Sequence, residues 1–147
     1  MKVKDIMTND VYLVDPDETI GAAAARMADL DVGVLPVGEN DRLVGMISDR
    51  DIALRAIGAG RGAETKVRDI MTRDVKYCYE DRDVEEVAEN MAQQQLRRMP
   101  VLDRGKRLVG IVALADIALE RDAGLSGATL RGVSQPGGPH CQSARAA

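Results

Sequence analysis

Two aspartates sit in matching surroundings, Asp51 in GMISDRDI and Asp116 in GIVALADI. Each follows an apolar run and falls in the first turn of a predicted helix. A carboxylate placed there can accept hydrogen bonds from both hydroxyls of a ribose-type diol. The free N–H groups of the same helix start attract an anion such as phosphate. Ser48 and Arg50 stand beside Asp51, whereas Ala113 occupies the place of Ser48 in the second setting. A second difference lies upstream, where Arg97 and Arg98 replace Gly33 and Val34. An arginine pair offers planar donor forks suited to phosphate oxygens. The bland alternatives are that both aspartates merely cap helices and that the arginines pair with acidic neighbours such as Glu85 or Glu86.

What positions these residues is a duplicated chain. KDIMT, at Lys4–Thr8, returns as RDIMT at Arg68–Thr72, an offset of 64. The same offset aligns Val3 with Val67, Ala24 with Ala88, Met27 with Met91, and Pro36-Val37 with Pro100-Val101. One residue then enters a polar turn of the second copy. Beyond it RLVGMISDRDIAL, from Arg42, aligns with RLVGIVALADIAL, from Arg107, at an offset of 65.

Each copy reads strand, helix, strand, strand, helix. VYLV, Val11–Val14, is a short apolar run leading into DPDE. Ile20, Ala23, Ala24 and Met27 fall at i, i+3, i+4 and i+7, one face of an amphipathic helix, with Asp17 as the expected cap. The second copy repeats that face with Val84, Val87, Ala88 and Met91, capped by Asp81 or Asp83. VGVLPV and LVGMIS are strands joined by a polar turn, and Pro36 belongs at an edge or strand end. Ser48 and Asp49 then offer cap chemistry for a helix from Arg50 to about Ile57. GAGRGAETK, Gly58–Lys66, links the copies, and its glycines read as flexibility because no Lys-Ser/Thr of a phosphate loop follows.

Composition limits the alternatives. Each half alone, at about 60 residues, would be marginal, so two copies sharing a core are expected in this 147-residue chain. Apolar residues make up 45%, yet Phe and Trp are absent, so the core must be aliphatic. The net charge is −4, and the two arginines beyond Ala123 leave the body more acidic still. An acidic body argues against direct nucleic-acid binding, which requires neutralised phosphates. No apolar run approaches the span of a bilayer and no signal-peptide pattern opens the chain, so no membrane association and a cytoplasmic location are expected.

The tandem KDIMT phrase, the Pro-Val strand and the pair GMISDRDI/GIVALADI resemble paired cystathionine-beta-synthase (CBS) domains, the Bateman module. The family pattern at the last site is G-h-h-[ST]-x-x-D-h, and the resemblance covers about residues 1–122. It implies an α/β (α+β) fold of two βαββα repeats packed as a pseudo-two-fold pair, at 1–60 and 61–122, with a cleft between them. It implies a homodimer, in which the helix faces Ile20-Ala24-Met27 and Val84-Ala88-Met91 serve partly as the dimer surface. It also implies that the clefts bind an adenosyl ligand: AMP, ADP, ATP, NAD or S-adenosylmethionine. Carried onto this sequence, the ligand-binding residues are Ser48, Arg50, Asp51, Val34 and Pro36 in one copy. In the other they are Arg97, Arg98, Met99, Pro100 and Asp116. Ala113 departs from the family's Ser or Thr, and the arginine pair compensates with charge, which favours a more phosphorylated ligand in the second copy.

Other chemistry finds little support. His140 is the only histidine, so the body has no His-based catalytic centre. His140 and Cys141 supply two soft ligands where a zinc site takes four. No catalytic residue and no metal site are assigned. Cys78, within VKYCY, reads as a small core residue. Ala123–Ala147 has the Gly/Pro/Ser/Ala-rich make-up of a disordered, dispensable tail. The resulting expectation is a regulatory protein that senses an adenine nucleotide and acts in trans on an unknown protein partner or through its oligomer. The rivals are a structural dimerisation module with non-functional clefts and, more remotely, a nucleotide-processing enzyme.

Overall fold

A computed structural model describes residues 1–120 and 123–135. The first copy contains α1 (Ile20–Leu30), β1 (Val34–Glu39), β2 (Arg42–Ser48) and α2 (Asp49–Asp51). A π-type stretch, Ile52–Ala56, and a 3-10 turn, Ile57–Ala59, prolong α2. The second copy contains β3 (Cys78–Tyr79), α3 (Val84–Gln94), β4 (Arg98–Leu102), β5 (Leu108–Ala113) and α4 (Leu114–Glu120). A further helix, α5 (Ala123–Val133), follows. The fold is mixed α/β, as expected.

The chain forms two compact units, and their composition does not follow the order of the repeats. One unit comprises Asp10–Lys76 with Gly105–Leu108. The other comprises Met1–Asn9, Tyr77–Arg104 and the chain from Val109 onward. The repeated opening phrase is therefore traded between copies. Val3, directly ahead of the first phrase, is fully buried in the aliphatic core with Val84, Met91, Met99 and Ile117. Val67, directly ahead of the second, is buried with Ile70 and Met71 of that phrase among Ile20, Met27, Val37 and Ile47.

Within the first unit, β1 and β2 form an antiparallel hairpin pairing Val34 with Ser48 and Pro36 with Met46. Its two turn residues, Asn40 and Asp41, both have positive φ, at 53° and 64°. That is the hairpin geometry whose twist matches the strands, and Asn and Asp tolerate it best after glycine. In the second copy the extra residue lengthens the connection, and only Lys106 there has positive φ. VYLV does not form a full strand: Val14 alone bridges Val37, in parallel. The second copy extends that bridge by one pair, with Cys78 beside Val101 and Tyr79 beside Leu102, and builds a sheet of order β3-β4-β5.

The amphipathic faces behave as the spacing predicts, with one divergence. Ile20, Ala23 and Met27 are buried on α1, and Val84, Val87, Ala88 and Met91 on α3. Ala24 is exposed although its counterpart Ala88 is fully buried. Most of both faces fills the core of its own unit, and Ala24 is the member of the two faces that stays exposed. Asp83 stands at the N-cap of α3 and Ser48 at that of α2, as expected, but the start of α1 differs. Thr19, not Asp17, caps α1, its Oγ1 accepting from the Ala22 N–H at 3.1 Å. Asp17 instead binds Arg68. The linker is not slack, because the first N–H groups of α1 need acceptors. The Ile20 N–H donates to Thr65 O at 2.8 Å and the Gly21 N–H to Ala63 O at 2.9 Å.

α5 corrects the reading of a disordered tail starting at Ala123. Leu125 packs against the second core, and Thr129 and Val133 are buried. The Thr129 hydroxyl is satisfied by donating to Leu125 O at 2.8 Å. Close seating on α3 is possible because residue 132 is glycine: a Cβ there would lie 2.5 Å from the Ala92 Cβ. Residues 136–147, including His140 and Cys141, lie outside the described residues.

Candidate ligand site

The aspartates are built into the helix starts. Ser48 and Asp51 form a reciprocal cap in which the Asp51 N–H donates to Ser48 Oγ at 3.0 Å. The Ser48 N–H returns a bond to Asp51 Oδ2, also at 3.0 Å. In the second copy the Ala113 N–H donates to Asp116 Oδ2 at 2.8 Å. Ala113 has no hydroxyl, so the return bond is missing. One carboxylate oxygen in each copy is thus taken by the backbone. The other Asp51 oxygen lies 3.7 Å from Arg55 Nε. The spacing S-x-x-D is a cap signature, and it marks these residues as structural whatever else they do.

The strands set the second pair of differences. The Asp49 N–H donates to Gly33 O, and at the equivalent place the Leu114 N–H donates to Arg97 O, both at 2.9 Å. Backbone geometry is shared while charge is reversed. A side chain at residue 33 would crowd the Asp49 carboxylate, since a Cβ would lie 3.0 Å from Asp49 Oδ2. Residue 97 faces Leu114 instead and can carry a guanidinium.

Two pockets occupy these places. In the first unit a pocket of about 440 Å³ is lined by Ala24, Ala28, Asp31, Gly33, Asp49 and Ile52, among others. In the second a pocket of about 470 Å³ is lined by Arg97, Arg98, Ala113, Leu114, Ala118 and residues of α5. Both fall in the range of small-molecule sites. Of the residues expected at a ligand, Arg97 and Arg98 line the second pocket, while Asp116 does not. Met99 and Pro100 are buried. Ser48, Arg50, Asp51, Val34 and Pro36 do not line the first pocket. Arg50 is exposed, Ser48, Asp51 and Val34 are half-buried, and Pro36 is buried.

Glu86 pairs with Arg82 at 3.6 Å. Among the described residues neither Arg97 nor Arg98 has an ion-pair partner, unlike Arg68, Arg82 and Arg104. Sequence reasoning missed the α5 residues of the second pocket, Ser126, Gly127 and Leu130. The signal was the spacing of Leu125, Thr129 and Val133, obscured by three glycines.

Among the described residues no group of three or more His, Cys, Asp or Glu could hold a metal ion. Cys78 is buried, and the desolvation pushes its thiol up to about 12. No helix among the described residues is long and apolar enough to cross a membrane.

Comparison with known proteins decides the family. The CBS domain profile matches twice, at residues 3–58 and 67–122. The chain belongs to the CBS-domain family. This CBS pair is 41% identical over 133 residues to the CBS domain-containing protein YhcV of Bacillus subtilis, covering 90% of this chain and 94% of that one. It is 41% identical over 117 residues to Hypoxic response protein 1 of Mycobacterium tuberculosis, covering 78% and 81%. A crystal structure of Hypoxic Response Protein I with two coordinated zinc ions superposes with a TM-score of 0.75 at 37% identity, covering 83% of this chain and all of that one. The CBS domain pair of protein MJ0100, in complex with 5′-methylthioadenosine and S-adenosyl-L-methionine, gives 0.72 at 32% identity, covering 81% and 94%.

Proposed function

We propose that this CBS pair is a regulatory protein that binds an adenosyl ligand and reports it to a protein partner or through its own oligomer. The observation that carries the reading is the Arg97-Arg98 couple at a pocket of ligand size, with no ion-pair partner among the described residues. Support comes from the MJ0100 domain pair, whose ligands share an adenosine moiety. Asp51 and Asp116 would take a ribose hydroxyl with the carboxylate oxygen that the cap leaves over. Phosphates would meet Arg97 and Arg98, so AMP, ADP or ATP suits the second copy better than an uncharged adenosine. No catalytic step is part of the reading.

One observation favours a second reading, a structural module without a ligand: both aspartates already serve as caps. Equilibrium titration of the protein with AMP, ATP, NAD and S-adenosylmethionine, followed by a product assay, separates the two. Saturable binding without turnover is expected. Absence of binding to all four at millimolar concentration establishes the structural reading instead.

A further inference from the structure

We propose that α5, which lies beyond the second CBS match, is a wall of the phosphate-ligand pocket in the second unit. The pocket takes the phosphate of a phosphate ester against Arg97 and Arg98. Its apolar body lies against Leu114, Ala118 and Leu130. The assignment deepens the reading of this unit as a binder of phosphorylated ligands.

Arg97 and Arg98 both line the pocket, and neither has a carboxylate partner among the described residues. Among the described residues its lining contains no carboxylate, whereas the pocket of the first unit includes Asp31 and Asp49. An anion with several acceptor oxygens answers both arginines at once.

Gly127 sits in the middle of α5, where glycine is disfavoured relative to alanine. Packing does not explain it, since a Cβ at residue 127 would meet nothing within 4 Å. Gly132 shows the opposite case on the same helix, being pressed onto Ala92. Gly127 lines the pocket, so what its missing side chain leaves open is the pocket itself. Leu130 is also left 49% exposed on that wall, an apolar surface for the body of a ligand.

The test fills the pocket without disturbing the protein. Full-length Gly127→Leu and, from the opposite wall, Ala118→Leu should keep or raise the melting temperature. Both should lose at least tenfold in the ATP affinity that the Arg97→Ala/Arg98→Ala variant also loses, as read by calorimetry. Hydrogen exchange in residues 124–133 should slow when ATP binds the wild type. Inorganic pyrophosphate, which has no apolar body, should bind more weakly than ATP. If both filled variants remain folded and bind ATP like the wild type, α5 is no part of the site. If that happens while Asp51→Ala and Asp116→Ala abolish binding, the adenosyl reading survives and this inference does not. If the filled and arginine variants lose ATP and pyrophosphate alike while the aspartate variants lose nothing, the α5 pocket stands and the adenosyl reading falls. Binding of neither probe overturns both.

Discussion

Thr8 and Gly110 lie so close that a Cβ on Gly110 would stand 2.6 Å from the Thr8 carbonyl oxygen. The approach is held by Thr8 and Ile111, which exchange backbone hydrogen bonds of 2.8 and 3.0 Å. The other unit repeats the arrangement: Thr72 and Met46 exchange two bonds of 2.9 Å, and a Cβ on Gly45 would meet Thr72 O at 2.8 Å. The duplicated opening phrase and the duplicated Leu-Val-Gly therefore have one explanation. Each phrase lays its last residue beside a strand, and the strand must carry glycine there.

Gly45→Ala and Gly110→Ala should each destabilise by about 1–3 kcal/mol, the usual range for overpacking. Gly127→Ala, made into open space, serves as the control and should stabilise α5 slightly. Urea denaturation of the three variants measures the contrast. Equal midpoints for all three would show that the backbone yields at these strands.

The repeats, the helix faces, the hairpins and the family were legible because each is written twice in local spacing. Ser48 and Asp51 were legible as a helix start for the same reason. What could not be read was which unit each opening phrase joins, because Val3 and Val67 look alike locally and only tertiary packing chooses their core. α5 stayed hidden because three glycines and a threonine dilute its apolar face. Its stability comes from seating on α3 rather than from propensity.

Removal of residues 123–147 should consequently lower stability rather than leave it unchanged. Leu125 and Val133 leave a packed surface, and α3 loses the helix seated on it at Ala92. A loss of about 3 kcal/mol is expected for two aliphatic side chains. A melting temperature equal to that of the full chain would show that α5 is only loosely seated.

The two helix starts differ by one hydroxyl, which gives a gain-of-stability prediction. Ala113→Ser should complete the reciprocal cap with Asp116 and stabilise by about 0.5–1 kcal/mol, while Ser48→Ala should cost about 1 kcal/mol. Thermal melts of both variants check the pair. Opposite signs are expected.

Three exposed carboxyls are held below the ordinary aspartate range by hydrogen-bonded cations: Asp17 by Arg68, Asp81 by Arg104 and Asp83 by Lys2. A depressed folded-state pKa contributes stability that is present above the unfolded value of about 4 and is lost as pH falls through the folded one. Stability should be insensitive to these pairs from pH 5 to 8 and should decline below about pH 4. The Arg68→Met/Arg104→Met variant should show a shallower acid decline. Because all three groups are exposed, the difference should fade in high salt.

Copy-specific ligand contacts make the last prediction. Under the proposed ribose contacts, Asp51→Ala and Asp116→Ala should each remove a charge-assisted hydrogen bond worth roughly 1.5–3 kcal/mol, or about ten- to a hundred-fold in affinity. They also remove the acceptor of the Ser48 and Ala113 N–H groups, so Asp51→Asn and Asp116→Asn, which keep an acceptor oxygen and lose the charge, are the comparison. If the Asn variants bind ATP like the wild type while the Ala variants do not, the carboxylates act through the helix start alone. Replacing Arg97 and Arg98 by Ala should weaken ATP far more than adenosine, and the effect should shrink at high salt because exposed charges are screened. An equal loss for adenosine would mean that the arginines support β4 rather than meet a phosphate. Site-resolved titration by NMR distinguishes these outcomes, because each substitution should abolish one class of site and spare the other.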